Sequence, residues 1–150
     1  DKIFSKHTFV NSLESRLQFV NGNILVDQLL LNFGKLGAAD VTGVIKNDKK
    51  FSTFKFESNI FIDNLKRFYN RFGIYNKEQV SSNLFLSGSF DLINLRLLLS
   101  EISQEEKFNE EDLDDIQKHT NAILLENGYK SLFEFSRLKE LMQVIIPEQE

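Results

Sequence analysis

Residues 54–63 and 83–99 are dominated by alternating apolar side chains, and this alternation constrains the fold more than any other feature. In the first stretch Phe54, Phe56, Ser58, Ile60 and Ile62 share one parity, while Lys55, Glu57, Asn59 and Asp63 take the other. In the second, Leu84, Leu86, Gly88, Phe90 and Leu92 stand against Ser87, Ser89 and Asp91. Successive side chains of a strand point to opposite faces, so both stretches describe extended chain with one apolar side and one mostly wet side.

A chain of 150 residues has the size of one domain and is long enough to bury a real core. Its 41% apolar and 27% charged residues fit a globular domain rather than a disordered chain. The bulk comes from 15 Phe, with no Trp, one Met and one Pro. Phe gives large apolar area with no polar atom to satisfy, which suits a core and an apolar ligand surface equally. A net charge of −4 with mixed signs weighs against nucleic acid, which asks for a basic stripe. Without Cys there is no disulfide or thiolate chemistry. No stretch approaches the roughly 20 apolar residues of a membrane-spanning helix. The chain opens at Asp1 with no visible signal peptide, and the expectation is a piece of a longer protein that carries its targeting elsewhere.

Residues 1–15 are weakly patterned. Residues 16–20 and 23–33 read as strands around Asn21-Gly22-Asn23, because Asn-Gly supplies the positive φ values of tight hairpin turns. Leu29, Leu31 and Phe33 share a face of the second strand. The pattern breaks at Gly34-Lys35-Leu36-Gly37 and resumes over residues 38–46, with Val41, Gly43 and Ile45 on one face. After a polar turn at residues 47–50, residues 51–62 form a strand of about 40 Å. Strand, turn and strand at this spacing predict antiparallel neighbours in a meander.

Asp63 or Asn64 then caps a short helix. Leu65, Phe68, Tyr69 and Phe72 recur at helical spacing, Lys66, Arg67 and Arg71 lie on the other side, and Gly73 ends it. A polar link over residues 75–82 leads into one last long strand, residues 83–99. From Glu101 the character changes. Asn109 caps a helix whose first turn holds Glu110, Glu111 and Asp112, where carboxylates complement the partial positive charge of the helix start. Leu113, Ile116, Thr120, Ile123 and Leu124 form its buried stripe and Gly128 stops it. A second helix carries Leu138, Leu141, Met142 and Ile145 up to Pro147; Ser131 and Glu134 have capping-box spacing, and residues 132–135 alternatively read as a short strand. The expected fold class is α+β: a curved antiparallel meander with a short helix between strands and two C-terminal helices. Residues 1–100 form the sheet, and residues 101–150 pack on it or cap it within one domain.

No catalytic or metal-binding set stands out. His7 and His119 are the only histidines, neither in a Ser/His/Asp nor a His-x-x-x-His arrangement, and His119 with Asp115 makes only an i, i+4 pair. The acidic run from Glu105 to Asp115 lacks the alternating oxygen ligands and central Gly of a calcium loop, so capping and solvation account for it. Gly34-x-x-Gly37 and Ser87-Gly88-Ser89 do not match a phosphate-loop spacing and read as bulges or bends. The helix at residues 65–72 either packs its aromatic side on the sheet or lies on an anionic membrane surface.

The order of parts resembles the AsmA-like family of bacterial envelope proteins. Residues 29–43, with Gly34, Gly37 and Gly43 around Ala38-Ala39-Asp40-Val41-Thr42, are similar to its Gly-x-x-Gly strand turn. Asp63-Asn64-Leu65-Lys66-Arg67-Phe68-Tyr69 followed by Phe72-Gly73-Ile74 is similar to its short helix between strands. Leu84-Phe85-Leu86-Ser87-Gly88-Ser89-Phe90-Asp91-Leu92 resembles its glycine-centred strand. The resemblance spans residues 23–99, with residues 133–138 as a further match, and the acidic helical tail from Glu101 departs from it.

The resemblance implies a periplasmic body of long curved strands forming an apolar groove, tethered to the inner membrane by a segment outside this chain. It further implies a role in outer-membrane biogenesis and phospholipid transport, without catalysis, metal or cofactor. Under it, Phe54, Phe56, Ile60, Ile62, Leu84, Leu86, Phe90 and Leu92 line the face that meets lipid acyl chains. The competing expectation is a structural or protein-interaction module whose apolar face is covered by its own helices. An enzyme would need convergent polar groups that this sequence does not advertise.

Overall fold

The computed structural model describes residues 10–71, 75, 77 and 79–128. Along the chain run β1 (Ser12–Val20), β2 (Asn23–Asn32), a single 3-10 turn (Gly34–Leu36), β3 (Gly37–Asn47) and β4 (Ser52–Ile62). They are followed by α1 (Leu65–Arg71), β5 (Ser82–Asp91), β6 (Arg96–Ser103) and α2 (Glu110–Asn127). The six strands pair antiparallel in sequence order, giving an open meander with β1 and β6 at its edges. The mixed α+β class, the meander and the helix inserted between strands all follow the sequence pattern. His7, the helix end at Phe72 and Gly73, the helix through Leu138 and Ile145 and the alternative strand at 132–135 lie outside the described residues.

Local chemistry sets the connections. Asn21 and Gly22 have φ of 51° and 79°, the two positive values of the type I′ turn whose twist matches paired strands. Of the two candidate caps for α1, Asn64 is the one used: its side-chain oxygen accepts from the Arg67 N–H at 3.0 Å. The Leu65 N–H donates to the Val80 carbonyl at 2.9 Å and ties the helix start to the link. Leu65 and Phe68 then bury themselves with Phe33, Ala39 and Ile62 at one end of the sheet. Full burial of a side chain such as Phe68 stabilises by roughly 1.5–3 kcal/mol.

The long strand expected over residues 83–99 is instead a hairpin. β5 ends at Asp91, and residues 92–95 turn the chain back into β6. The Asp91 carboxylate accepts from the backbone N–H groups of Ile93 and Asn94, each at 2.9 Å, and from the Asn94 side chain at 2.8 Å. Leu95 completes the reversal at φ 55°. Local hydrogen bonding by Asp and Asn overrides an apolar alternation that, by itself, would continue the strand. The sheet also overruns residue 100, since β6 continues through Ser103.

α2 is built as its sequence dictates. Asn109 accepts from the Asp112 N–H at 2.8 Å, and Gly128, at φ 65°, donates its N–H to the Leu124 carbonyl. Ile116, Thr120, Ile123 and Leu124 are buried, and the Thr120 hydroxyl donates to the Ile116 carbonyl at 2.8 Å. The helix lies along the β6 edge. The Asn121 side chain accepts from the Leu97 N–H at 2.7 Å and donates to the Leu97 carbonyl at 2.9 Å, while Gln117 accepts from the Leu99 N–H at 2.8 Å. Gln117 and Asn121 are one helical turn apart, and Leu99 and Leu97 alternate along the strand, so two carboxamides close an edge that would otherwise stay open to pairing.

Candidate functional site

Strand register assembles a single apolar face. Directly opposed residues of an antiparallel ladder share a face. One row therefore reads Ile24, Ile45, Phe54, Phe90, Leu97 and the next Val26, Gly43, Phe56, Gly88, Leu99. Further along come Leu29, Val41, Ser58, Leu86, Ile102 and then Leu31, Ala39, Ile60, Leu84. Phe54 and Phe56 approach with ring centroids 5.7 Å apart.

Seven of the eight expected lining residues, Phe54, Phe56, Ile60, Leu84, Leu86, Phe90 and Leu92, are half-buried. Ile62 is buried in the cluster under α1. Leu92 departs from the expectation in another way: it follows β5 in the turn, where its N–H donates to the Ser52 carbonyl at 2.9 Å. The chain reversal at Asp91 takes it off the ladder. Sequence reasoning limited the lining to β4 and β5. Register extends it through Ile24, Val41 and Ile45 on one side and Leu97 and Leu99 on the other, residues whose alternation was visible but whose shared face only pairing establishes.

Two glycines shape the middle of this face. A Cβ on Gly43 would run into the Lys55 carbonyl oxygen and lie 2.9 Å from the Phe54 ring, and one on Gly88 would meet the Leu98 carbonyl. At Gly88 the register with β6 also shifts, leaving Ser100 as an extra residue, so this glycine marks a bulge as its strand position implies. Asp27 and Gln28 form a second irregularity against β3. Gly34 opens the turn between β2 and β3.

The opposite face is mixed, setting Lys55, Glu57, Asn59, Ser87 and Ser89 among Leu25, Leu30, Val44, Phe61, Phe85 and Leu98. Thr42, Lys55, Glu57, Ser87, Ser89 and Ser100 border an open cleft of about 490 Å³, and a cleft of about 1050 Å³ lies between Leu65, Val80, Gln104, Phe108 and Asp112. Among the described residues neither lining contains a histidine, and no hydrogen bond joins the serines of the first to Lys55 or Glu57. Among the described residues no group of three or more His, Asp or Glu is placed to hold a metal, and His119 is exposed. The backbone N–H of Asn94, then its side chain, holds the Asp91 carboxyl below its ordinary value. Lys118 is raised by the hydrogen bond and charge of Asp114, 2.5 Å away. Both serve local structure. The Oδ1 of Asp40 is buried without a hydrogen-bond partner, while its Oδ2 accepts from Gln28 at 3.3 Å.

The short helix resolves one sequence ambiguity. Leu65 and Phe68, on the side that a membrane surface would have to take up, are buried against the sheet end, with Tyr69 packed beside them. Among the described residues no helix is long and apolar enough to cross a membrane. No family model, curated protein or solved structure matches the chain.

Proposed function

We propose that the apolar face of the sheet contacts lipid acyl chains, as a non-enzymatic element of phospholipid transport or outer-membrane biogenesis in a bacterial envelope. The observation that supports this reading is the continuity of the face: apolar side chains from all six strands lie in register, and Phe54, Phe56, Ile60, Leu84, Leu86 and Phe90 keep part of their surface accessible, while Val26 and Ser58 are buried. The mechanism is passive. Acyl chains leave water along the Phe- and Leu-rich rows, each buried methylene contributing about 0.8 kcal/mol, while head groups stay in solvent. Phe54, Phe56, Ile60, Leu84, Leu86 and Phe90 form the centre of the contact, and Ile62 supports it from below α1. The AsmA-like resemblance is the ground for a periplasmic setting in this reading, with anchorage to the inner membrane by a segment outside this chain.

A second reading has its own observation. α1 buries Ile62 and Ala39 at one end of the face, and Ile102, in the next row on β6, is buried as well. A protein-interaction module whose apolar face is sealed by its own helices would extend that covering inward. Organic extraction of the purified protein followed by mass spectrometry separates the two. Co-purifying phospholipid, or uptake of a fluorescent fatty acid that Phe56→Glu and Phe90→Glu abolish with the fold intact, is the expected result. Lipid-free protein that takes up no fatty acid overturns the proposal and favours the sealed module.

A further inference from the structure

The two edges of the sheet are finished differently. β6 is closed by carboxamides from α2, whereas among the described residues β1 is paired on one side only, with β2. From Glu14 to Val20 every residue of β1 is exposed, including Leu17 at 44% and Phe19 at 79%. Edge strands are usually protected by Lys, Pro, short length or a covering segment. β1 has nine residues, neither Lys nor Pro, and two charges, Glu14 and Arg16. Among the described residues neither charge takes part in an ion pair.

The spacing of these charges makes the strand complementary to itself. When two copies of β1 run antiparallel about Ser15, Glu14 of each copy stands opposite Arg16 of the other. Leu13 likewise stands opposite Leu17, on the other face. The interface is isologous, so each favourable pair occurs twice. A two-fold axis perpendicular to the sheet keeps the apolar faces of both copies on the same side. We propose that the β1 edge is a homodimerisation surface, joining two copies through antiparallel β1 strands into a continuous twelve-stranded sheet. The charge pattern selects this register: a shift that centres the pair on Arg16 would set the two guanidinium groups against each other, which cross-strand pairing disfavours. The inference stands independently of the acyl-chain reading, because it rests on the strand edge and its charges rather than on the face.

Charge swapping tests it. Wild-type protein is expected to show a concentration-dependent monomer–dimer equilibrium by sedimentation velocity, with slowed amide exchange in β1 on raising the concentration. Glu14→Arg alone sets Arg against Arg, and Arg16→Glu alone sets Glu against Glu. Each should weaken the dimer by about tenfold, since two attractive pairs become repulsive. An equimolar mixture of the two variants restores both attractions, so heterodimer should form where neither variant pairs with itself. Both positions are exposed, and circular dichroism verifies that the variants fold. A monomer at every concentration overturns the proposal. So does a dimer that ignores both substitutions or leaves β1 exchange unchanged.

Discussion

Phe56 stands directly opposite Gly88 across the β4–β5 ladder, and its other neighbour in the same row is Gly43. The largest side chain of the row is thus flanked on both sides by residues with none. Neither glycine can take a Cβ without meeting a backbone carbonyl, that of Lys55 at Gly43 and that of Leu98 at Gly88. Because the obstacle is backbone, no side-chain rotation relieves it. Gly88→Ala and Gly43→Ala should each destabilise the protein by about 1–3 kcal/mol in urea denaturation, against near-neutral effects at exposed Gly22 with a residue such as Asn that tolerates positive φ.

The α2–β6 contact yields a sharper expectation. Asn121 satisfies both backbone groups of Leu97, so Asn121→Ala leaves a donor and an acceptor half-buried without partners. Loss of about 1–3 kcal/mol is expected, together with faster amide exchange at Leu97 and Leu99. Unchanged exchange at those amides would mean that the helix does not guard the edge.

Asp91 carries a pH dependence whose sign follows from its lowered pKa. The unfolded carboxyl titrates near 3.8 and the folded one below it, because the N–H groups of Asn94 and Ile93 favour the charged form. Its contribution is therefore fully present above the unfolded value and is lost as pH falls through the folded one. Stability measured from pH 6 down to pH 2 should decline less in Asp91→Asn than in wild type, and the wild-type turn should loosen on acidification, seen as faster exchange at Ile93 and Asn94.

Asp40 offers the reverse case. Its Oδ1 is buried without a partner and its Oδ2 receives one long hydrogen bond from Gln28. Asp40→Val removes an unmet acceptor and places a β-branched residue in β3 beside Leu30. Chemical denaturation should show a gain of about 1 kcal/mol; a loss of that size would show that the carboxylate is satisfied in solution.

Much of the architecture was legible from local chemistry. Asn21-Gly22 specifies its hairpin through backbone φ, Asn109 and Gly128 bracket α2, and alternation from Phe54 to Ile62 specifies β4 with its apolar side. The failure came at residues 83–99, where alternation continues across a reversal. Asp91 and Asn94 favour turns, but set singly in an apolar alternation they do not mark one by themselves; their joint hydrogen bonding around Ile93 makes the turn. The candidate site was read as two strands because sequence period reports which side a residue takes but not which strand lies beside it.

Period and capping, being local, determined most elements of this protein, except the division of residues 83–99 into β5 and β6, and the apolar side of β4 and β5. Which residues stand opposite one another depends on register, and register is a contact between distant segments. Tertiary structure therefore decided that Phe56 lies between two glycines, that six strands share one apolar face, and that Ile62 is buried beneath α1. It also decided that α2 closes one edge of the sheet, while among the described residues β1 leaves the other open.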